Sequence, residues 1–166
     1  MVRYFYVLVT LIACSSSSSA QDCVSSGTYN LMLKGLLEHN VPTLCVDSAK
    51  VLQTAVFLDA REKEEFEVSS IQGAMPVGYD DFKIRHLKDL PQDTLIVVYC
   101  SVGYRSEKVT QKLLKAGYSN VYNLYGGIFE WVNQGNPTYH EEKVTLKIHA
   151  YDRIWGQWLE KGEKVY

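Results

Sequence analysis

Strong charge of either sign is missing from this sequence of 166 residues. Its 17 basic and 19 acidic side chains leave a formal net charge of −2, and four like charges never run together. A protein that reads a phosphate backbone carries clustered Lys and Arg, so nucleic acid is not an expected partner. Cysteine is scarce as well. Cys14, Cys23, Cys45 and Cys100 are too few and too scattered for a disulfide framework, and no pair has metal-ligand spacing. His39, His86, His140 and His149 show no spacing that suggests a metal site or a base. No metal and no other cofactor is therefore expected. Internal repeats are absent, and the only low-complexity stretch is a serine tract at residues 15–19. What is present, 46% hydrophobic and 22% charged residues, suffices for one globular core plus accessories.

The most continuous apolar run, Tyr4 to Ala13 behind Arg3, is about half the ~20 residues needed to span a bilayer, so it reads as an export signal over residues 1–20. Two ends fit it. Leu11, Ile12, Ala13, Cys14 resembles the bacterial lipobox, whose cysteine is acylated and becomes the new N-terminus, with the serines as a tether. Ser18, Ser19, Ala20 instead fits an ordinary signal-peptidase site that frees a soluble protein starting at Gln21. An uncleaved cytosolic terminus is the third reading. The expected location is a bacterial periplasm or a membrane surface held through lipid on Cys14, with no other membrane contact. In such an oxidising space a Cys23–Cys45 disulfide becomes possible. Two lone cysteines are more often one buried and one surface thiol, and Cys45, between Leu44 and Val46, reads as core.

Residues 21–41 read as a linker and a leading helix, with Leu31, Leu33, Leu36 and Leu37 forming a stripe that ends at the His39–Pro42 break. Short apolar runs then alternate with amphipathic segments: 55–58 with 62–68, 74–77 with 80–90, 95–99 with 106–116, and 121–124 with 127–132. Strand and helix pairs in series predict an α/β class, a parallel sheet flanked by helices on both faces. The run Leu95–Tyr99 (LIVVY) has the continuous apolar, β-branched character of a central strand. Gly117 provides a left-handed stop for the helix that begins at Ser106. Residues 137–166 form an extension, in which Ile154, Trp155, Trp158 and Leu159 predict a C-terminal helix docked by an aromatic stripe; a lid or partner-binding arm is the alternative.

Ligands of open parallel sheets bind beyond the carboxyl ends of the strands, and Cys100 occupies such an end. It opens the loop Ser101, Val102, Gly103, Tyr104, Arg105, where a helix starts at once. A loop of this kind turns backbone N–H groups inward, and the helix dipole adds positive potential. The same field, with the fixed charge of Arg105, favours a thiolate at Cys100 and makes it a nucleophile candidate. Gly103 permits the tight or positive-φ backbone that the cradle needs. A small buried cysteine with no reactivity is the competing reading of position alone.

Around that loop the chain resembles the rhodanese family of sulfurtransferases. The resemblance rests on FLDARE (Phe57 to Glu62), IQGAMPV (Ile71 to Val77), VVYCSVGYRS (Val97 to Ser106) and LYGGIFEW (Leu124 to Trp131), in family order within residues 42–136. It implies a rhodanese-like domain over that stretch, about five parallel strands with flanking helices, and a persulfide carried on Cys100. Ser70 stands where the family usually has histidine. The same fold also resembles dual-specificity phosphatases and arsenate reductases of the Cdc25 type, which place five residues between cysteine and arginine; here four lie between Cys100 and Arg105. A tighter ring suits one sulfur atom, and only Asp59 or Asp80 could serve a phosphatase as general acid.

The expected reaction is attack of Cys100 on a small anionic donor such as thiosulfate, with Ser101 to Arg105 holding the anion, followed by transfer to cyanide or a thiol. A persulfide carrier or protein-binding module without turnover is the alternative, and a monomer is expected. Arg61, just past another strand end, is placed on the same rim to attract donors; a structural ion pair with Asp59 is the reading that competes with it. Gly126 and Gly127 lack the Lys and Ser/Thr of a phosphate loop and read as a tight turn before a helix, and Trp131 reads as core.

Overall fold

A computed structural model describes residues 23–166. The expectations placed on residues 1–20, lipidation of Cys14 among them, lie outside the described residues. In chain order the elements are α1 (Gly27–Leu36), β1 (Thr43–Leu44), α2 (Val46–Ala49), β2 (Val56–Asp59), α3 (Lys63–Val68), β3 (Met75–Pro76), β4 (Ile96–Tyr99), α4 (Tyr104–Lys115), β5 (Val121–Leu124) and α5 (Gly127–Asn133). The tail adds β6 (Thr138–His140), β7 (Lys143–Thr145), β8 (Lys147–His149) and β9 (Glu163–Val165). No helix among the described residues is long and apolar enough to cross a membrane.

Five strands form one parallel sheet in the order β1-β5-β4-β2-β3; the parallel sheet and four of its strands match the alternation read from the sequence, whereas the edge strand β1 was not among those runs and the count of five is the one the resemblance implies. β4 is central, and all four of its residues are buried because helices cover both faces. The two-residue period of a strand divides its side chains. Val97 and Tyr99 enter a core shared with Leu33 of α1, Ile128 and Phe129 of α5, and Ile148 and Leu159 of the tail. Ile96, Val98 and then Cys100 enter the opposite core, with Val109 and Leu113 of α4. The face that Cys100 occupies is therefore fixed by register with the strand before it.

Three expectations are corrected. Residues 80–90 make no α-helix; a single 3-10 turn at Ile84–Leu87 is all that forms. Of this segment only Leu87 is fully buried, so tertiary packing does not support a longer helix. Residues 151–159 likewise give only a 3-10 turn, Trp155–Trp158. Tyr151 is left-handed at φ 66, and a Cβ on Gly156 would meet Tyr166 Oη at 3.0 Å and Ala150 Cβ at 3.1 Å, so the segment packs as a turn. The docking of the aromatic stripe does occur: Trp158 stacks on Tyr29 with ring centroids 5.4 Å apart. Finally, Cys23 and Cys45 are disulfide-bonded, with Cα atoms 4.8 Å apart, so neither is a free thiol and Cys45 is only partly buried. Closing a loop of 22 residues in sequence is worth about 3 kcal/mol. It ties the segment before α1 to the edge of the sheet.

Ser70, read in the sequence as a departure from the resembled pattern, serves the tail. Its N–H and C=O exchange 2.8 Å hydrogen bonds with Tyr139 of β6, so the extension begins as an antiparallel bridge to the domain.

Candidate active site

Cys100 leaves β4 at its carboxyl end and is the only free cysteine among the described residues. Its residue is 1% exposed, yet it lines a cleft of about 490 Å³ and forms part of its floor. The sulfur accepts a hydrogen bond from the Gly103 N–H at 3.1 Å and is approached by Ser106 Oγ at 3.5 Å. Gly103 makes this possible. At φ 114 it turns the backbone into the left-handed region, aims its N–H back at the sulfur, and then caps α4. Asn123 of β5 locks the turn, donating from Nδ2 to the Gly103 carbonyl at 3.0 Å and accepting from Ser106 Oγ at 2.7 Å. Of the inward-turned loop amides expected from the sequence, one, that of Gly103, bonds the sulfur, and the Ser106 hydroxyl stands beside it with its proton directed to Asn123.

The other wall of the loop is held from α5. The N–H groups of Ile128 and Phe129 donate to the carbonyls of Cys100 and Ser101 at 2.9 and 3.1 Å. Gly126 and Gly127 form the tight turn read from the sequence, with φ of 80 and 58. Gly127 does more than turn. A Cβ there would lie 2.4 Å from the Cys100 carbonyl oxygen and 2.6 Å from that of Ser101.

Arg105 reaches the cleft but does not stand alone. Its Nη1 and Nη2 donate to Glu65 Oε2 and Oε1 at 2.6 and 2.7 Å, and Nη2 also donates to Ser101 Oγ at 3.0 Å. Ser101 Oγ in turn donates to Glu65 Oε1 at 3.0 Å. Burial of Glu65 by itself would raise its pKa, but the bonds and charge of Arg105, with Arg61 behind, outweigh it and hold the carboxyl below its ordinary value. Burial of Arg105 opposes its charge, and Glu65 overcomes this, so the guanidinium stays charged throughout. Three of its five N–H groups are thereby engaged, which leaves two for a ligand.

Glu65 was not among the residues singled out from the sequence, and it organises the loop more than any residue that was. Replacing it with glutamine is expected to lower the unfolding free energy at pH 7 by about 3 kcal/mol, because Arg105 is left as a largely buried charge without its partner. A carboxyl whose folded pKa is lowered contributes stability above its unfolded value, near ~4.3, and loses it as pH falls through the folded value. Urea unfolding of Glu65→Gln and the unaltered protein at pH 7, then at steps below about pH 4, should therefore show the gap closing. A constant gap across that range would remove the charge from this account.

Arg61 is corrected. It is fully buried and does not line the cleft. Its Nε and Nη2 clasp Asp59 at 2.6 to 3.1 Å, Nη2 also donates to the Ser69 carbonyl at 2.5 Å, and the guanidinium lies over the Tyr99 ring at 5.7 Å. The competing ion pair with Asp59 is what forms, because a buried guanidinium needs its counter-charge. Asp59 is spent in the same pair and cannot act as an acid in the cleft. Asp80 does line the cleft, exposed at its mouth, as do Ser101, Val102, Tyr104 and Arg105. Residues that sequence reasoning did not bring here are Leu36 of α1, Tyr79 behind β3, and Tyr151 and Trp155 of the tail.

A free thiol with a donor on its sulfur, at the floor of a cleft and beside a fixed cation, is equipped for nucleophilic attack and covalent carriage. The rhodanese-like domain family matches residues 46–134, more than half of the chain. The chain belongs to that family. Its similarity to a tRNA uridine(34) hydroxylase of Pectobacterium carotovorum is 33% identity over 107 residues, 61% of this chain and 30% of the relative. With the adenylyltransferase and sulfurtransferase UBA4 of Meyerozyma guilliermondii it shares 34% over 143 residues, 79% of this chain and 32% of that one. This rhodanese-like chain thus spans about a third of the length of these curated relatives. The crystal structure of a thiosulfate sulfurtransferase from Pseudomonas aeruginosa superposes with a TM-score of 0.57 at 29% identity, covering 66% of this chain and 22% of that one.

Proposed function

We propose that this rhodanese-like protein is an exported sulfurtransferase that carries sulfane sulfur as a persulfide on Cys100. The observation that supports it most is the sulfur itself: a free cysteine at the end of the central strand, bonded to the Gly103 N–H and lining a cleft that Arg105, held by Glu65 from behind, also lines. In the first half-reaction the Cys100 thiolate attacks the outer sulfur of a donor such as thiosulfate. A bond forms between the two sulfurs, the bond from that sulfur to the sulfonate breaks, and its electron pair leaves with sulfite. Arg105, which lines the cleft and keeps two N–H groups unspent, accompanies the departing anion in this reading. In the second half-reaction an acceptor, cyanide or a thiol, attacks the outer sulfur, and the electron pair of the breaking bond returns to Cys100.

The alternative of a phosphatase loses its support at two points. Four residues separate Cys100 from Arg105, and Asp59, one of two acids it could use, is closed off in its pair with Arg61. Export rests on the sequence of residues 3–20, and the Cys23–Cys45 bond is of a kind that persists in oxidising compartments. Intact mass spectrometry of the protein as its host produces it, before and after thiosulfate, tests both parts. The reading expects a gain of one sulfur atom that cyanide removes, on a chain lacking the first residues. A chain that gains no sulfur from thiosulfate or from inorganic polysulfide overturns the assignment; a chain that retains Met1 or the residues after it overturns export.

A further inference from the structure

Part of the cleft over Cys100 is not made by residues 46–134. Leu36 comes from α1, and Tyr151 and Trp155 come from the tail. Tyr151 is held in place at a backbone cost. It is left-handed at φ 66, uncommon for a residue with a side chain, and such strain persists only where surrounding contacts enforce it. Those contacts are present: its N–H donates to His149 Nδ1 at 3.1 Å, and its ring takes the Arg105 guanidinium at 5.1 Å. Trp155 follows on a turn fastened by Asp152, whose Oδ1 accepts from the Ile154 and Trp155 N–H groups at 2.8 Å. The tail therefore sets two aromatic rings beside the reactive loop, and the disulfide secures the segment that carries Leu36.

The charge of the cleft narrows what can occupy it. Among the described residues Arg105 is the only cation lining it, and Glu65 is paired with that cation at 2.6 Å, while Asp80 adds a negative charge at the mouth. Lys108 is paired with Glu38, and Lys112 lies over the Tyr79 and Phe82 rings; neither lines the cleft. With Arg105 already paired to Glu65, the cleft has no cation beyond the remaining N–H groups of that one residue, so negative charge on an acceptor's body finds no counter-charge along the aromatic wall. A volume of about 490 Å³ is of the size that holds an organic molecule, and a small inorganic ion would leave the aromatic wall untouched.

We infer that the sulfur acceptor is an organic thiol with an apolar, aromatic body and no net negative charge, lodged against Leu36, Tyr151 and Trp155 with its sulfur toward Cys100. This rests on the sulfurtransferase reading. The acceptor thiolate attacks the outer sulfur of the Cys100 persulfide. The new bond joins acceptor and sulfane sulfurs, the bond to Cys100 Sγ breaks, and its electron pair restores the thiolate. The products are the organic persulfide and the free enzyme, with the acceptor's proton released to solvent and no other oxidant or reductant involved.

The test loads Cys100 with sulfur from thiosulfate or polysulfide and follows a single discharge by mass. Benzyl mercaptan, 2-mercaptoethanol and mercaptosuccinate serve as probes, each normalised to its rate with a protein-free disulfide. Benzyl mercaptan is expected to be favoured about tenfold over 2-mercaptoethanol, with mercaptosuccinate slowest. That ratio should collapse in Tyr151→Ala/Trp155→Ala and survive in Tyr151→Phe, which keeps the ring. Persulfide that forms but discharges alike to all three normalised thiols overturns this inference and leaves sulfur transfer standing. A ratio unmoved by the double substitution also overturns it. No persulfide at all removes the reading beneath it.

Discussion

Cys100→Ala is expected to reduce sulfur transfer from thiosulfate to cyanide to the rate seen without protein, and to leave the chain folded. Both halves follow from the surroundings of the sulfur. Every bond change in the proposed cycle is made at Sγ, so removing it leaves the Gly103 N–H and Arg105 with no atom to act upon. Alanine keeps the Cβ packed beside Val98 and Val109 in the core under α4, so the stability cost should stay at about 1 kcal/mol. Steady-state rates and urea unfolding of the same preparation check the pair. Cys100→Ser is the stricter control, because it preserves size and a hydrogen-bond acceptor while losing sulfur nucleophilicity. Residual transfer well above background in either variant, with the fold intact, would place the nucleophile elsewhere. Among the described residues no other free thiol exists to supply it.

Those parts of the site that are local in the chain were legible in the sequence. The apolar run ending at Cys100, a glycine three residues on and an immediate helix start specify strand, turn and cap within a few residues, and the positive φ at Gly103 is what that order requires. Glu65 was not legible for the opposite reason. It lies in the run Glu62 to Glu67, where Lys63, Glu64 and Glu67 are exposed, and charge patterning there reads as a solvated face. Its distinguishing feature is a partner 40 residues away. No local pattern marked it: Ser69, four residues on and also buried, lies past the end of α3 in extended backbone, so the two do not form a helical stripe. Arg61 was legible in one of its two readings. Proximity to a strand end suggested a rim, which does not form, while the ion pair with Asp59, also read from the sequence, is what decides for burial. In the tail, Trp155, Trp158 and Leu159 match helical spacing, but Gly156 among them was the warning that backbone crowding, not amphipathicity, governs that stretch.

Gly127→Ala is the substitution expected to damage the protein most without touching a reacting atom. Two costs fall on one methyl group. At φ 58 any side chain is strained, by about 1 to 2 kcal/mol. The added carbon would also stand 2.4 and 2.6 Å from two carbonyl oxygens of the loop, and backbone atoms cannot swing aside as a lysine tip would. Those carbonyls belong to Cys100 and Ser101 and are bonded to the Ile128 and Phe129 N–H groups, so relief comes only by breaking these bonds or moving the nucleophile's own peptide. A loss of about 3 kcal/mol or more in urea unfolding is expected, with transfer activity falling further than the folded fraction does. Gly135→Ala separates the two costs. Gly135 is also left-handed, at φ 84, but a Cβ there meets nothing within 4 Å. It should lose only the strain, about 1 kcal/mol, and keep its activity. Equal losses at the two glycines would mean that backbone conformation alone is at stake and that α5 does not clamp the loop. A larger loss confined to Gly127, accompanied by failing sulfur transfer, ties the LYGGIFEW segment to Cys100 through contact rather than through the turn it makes.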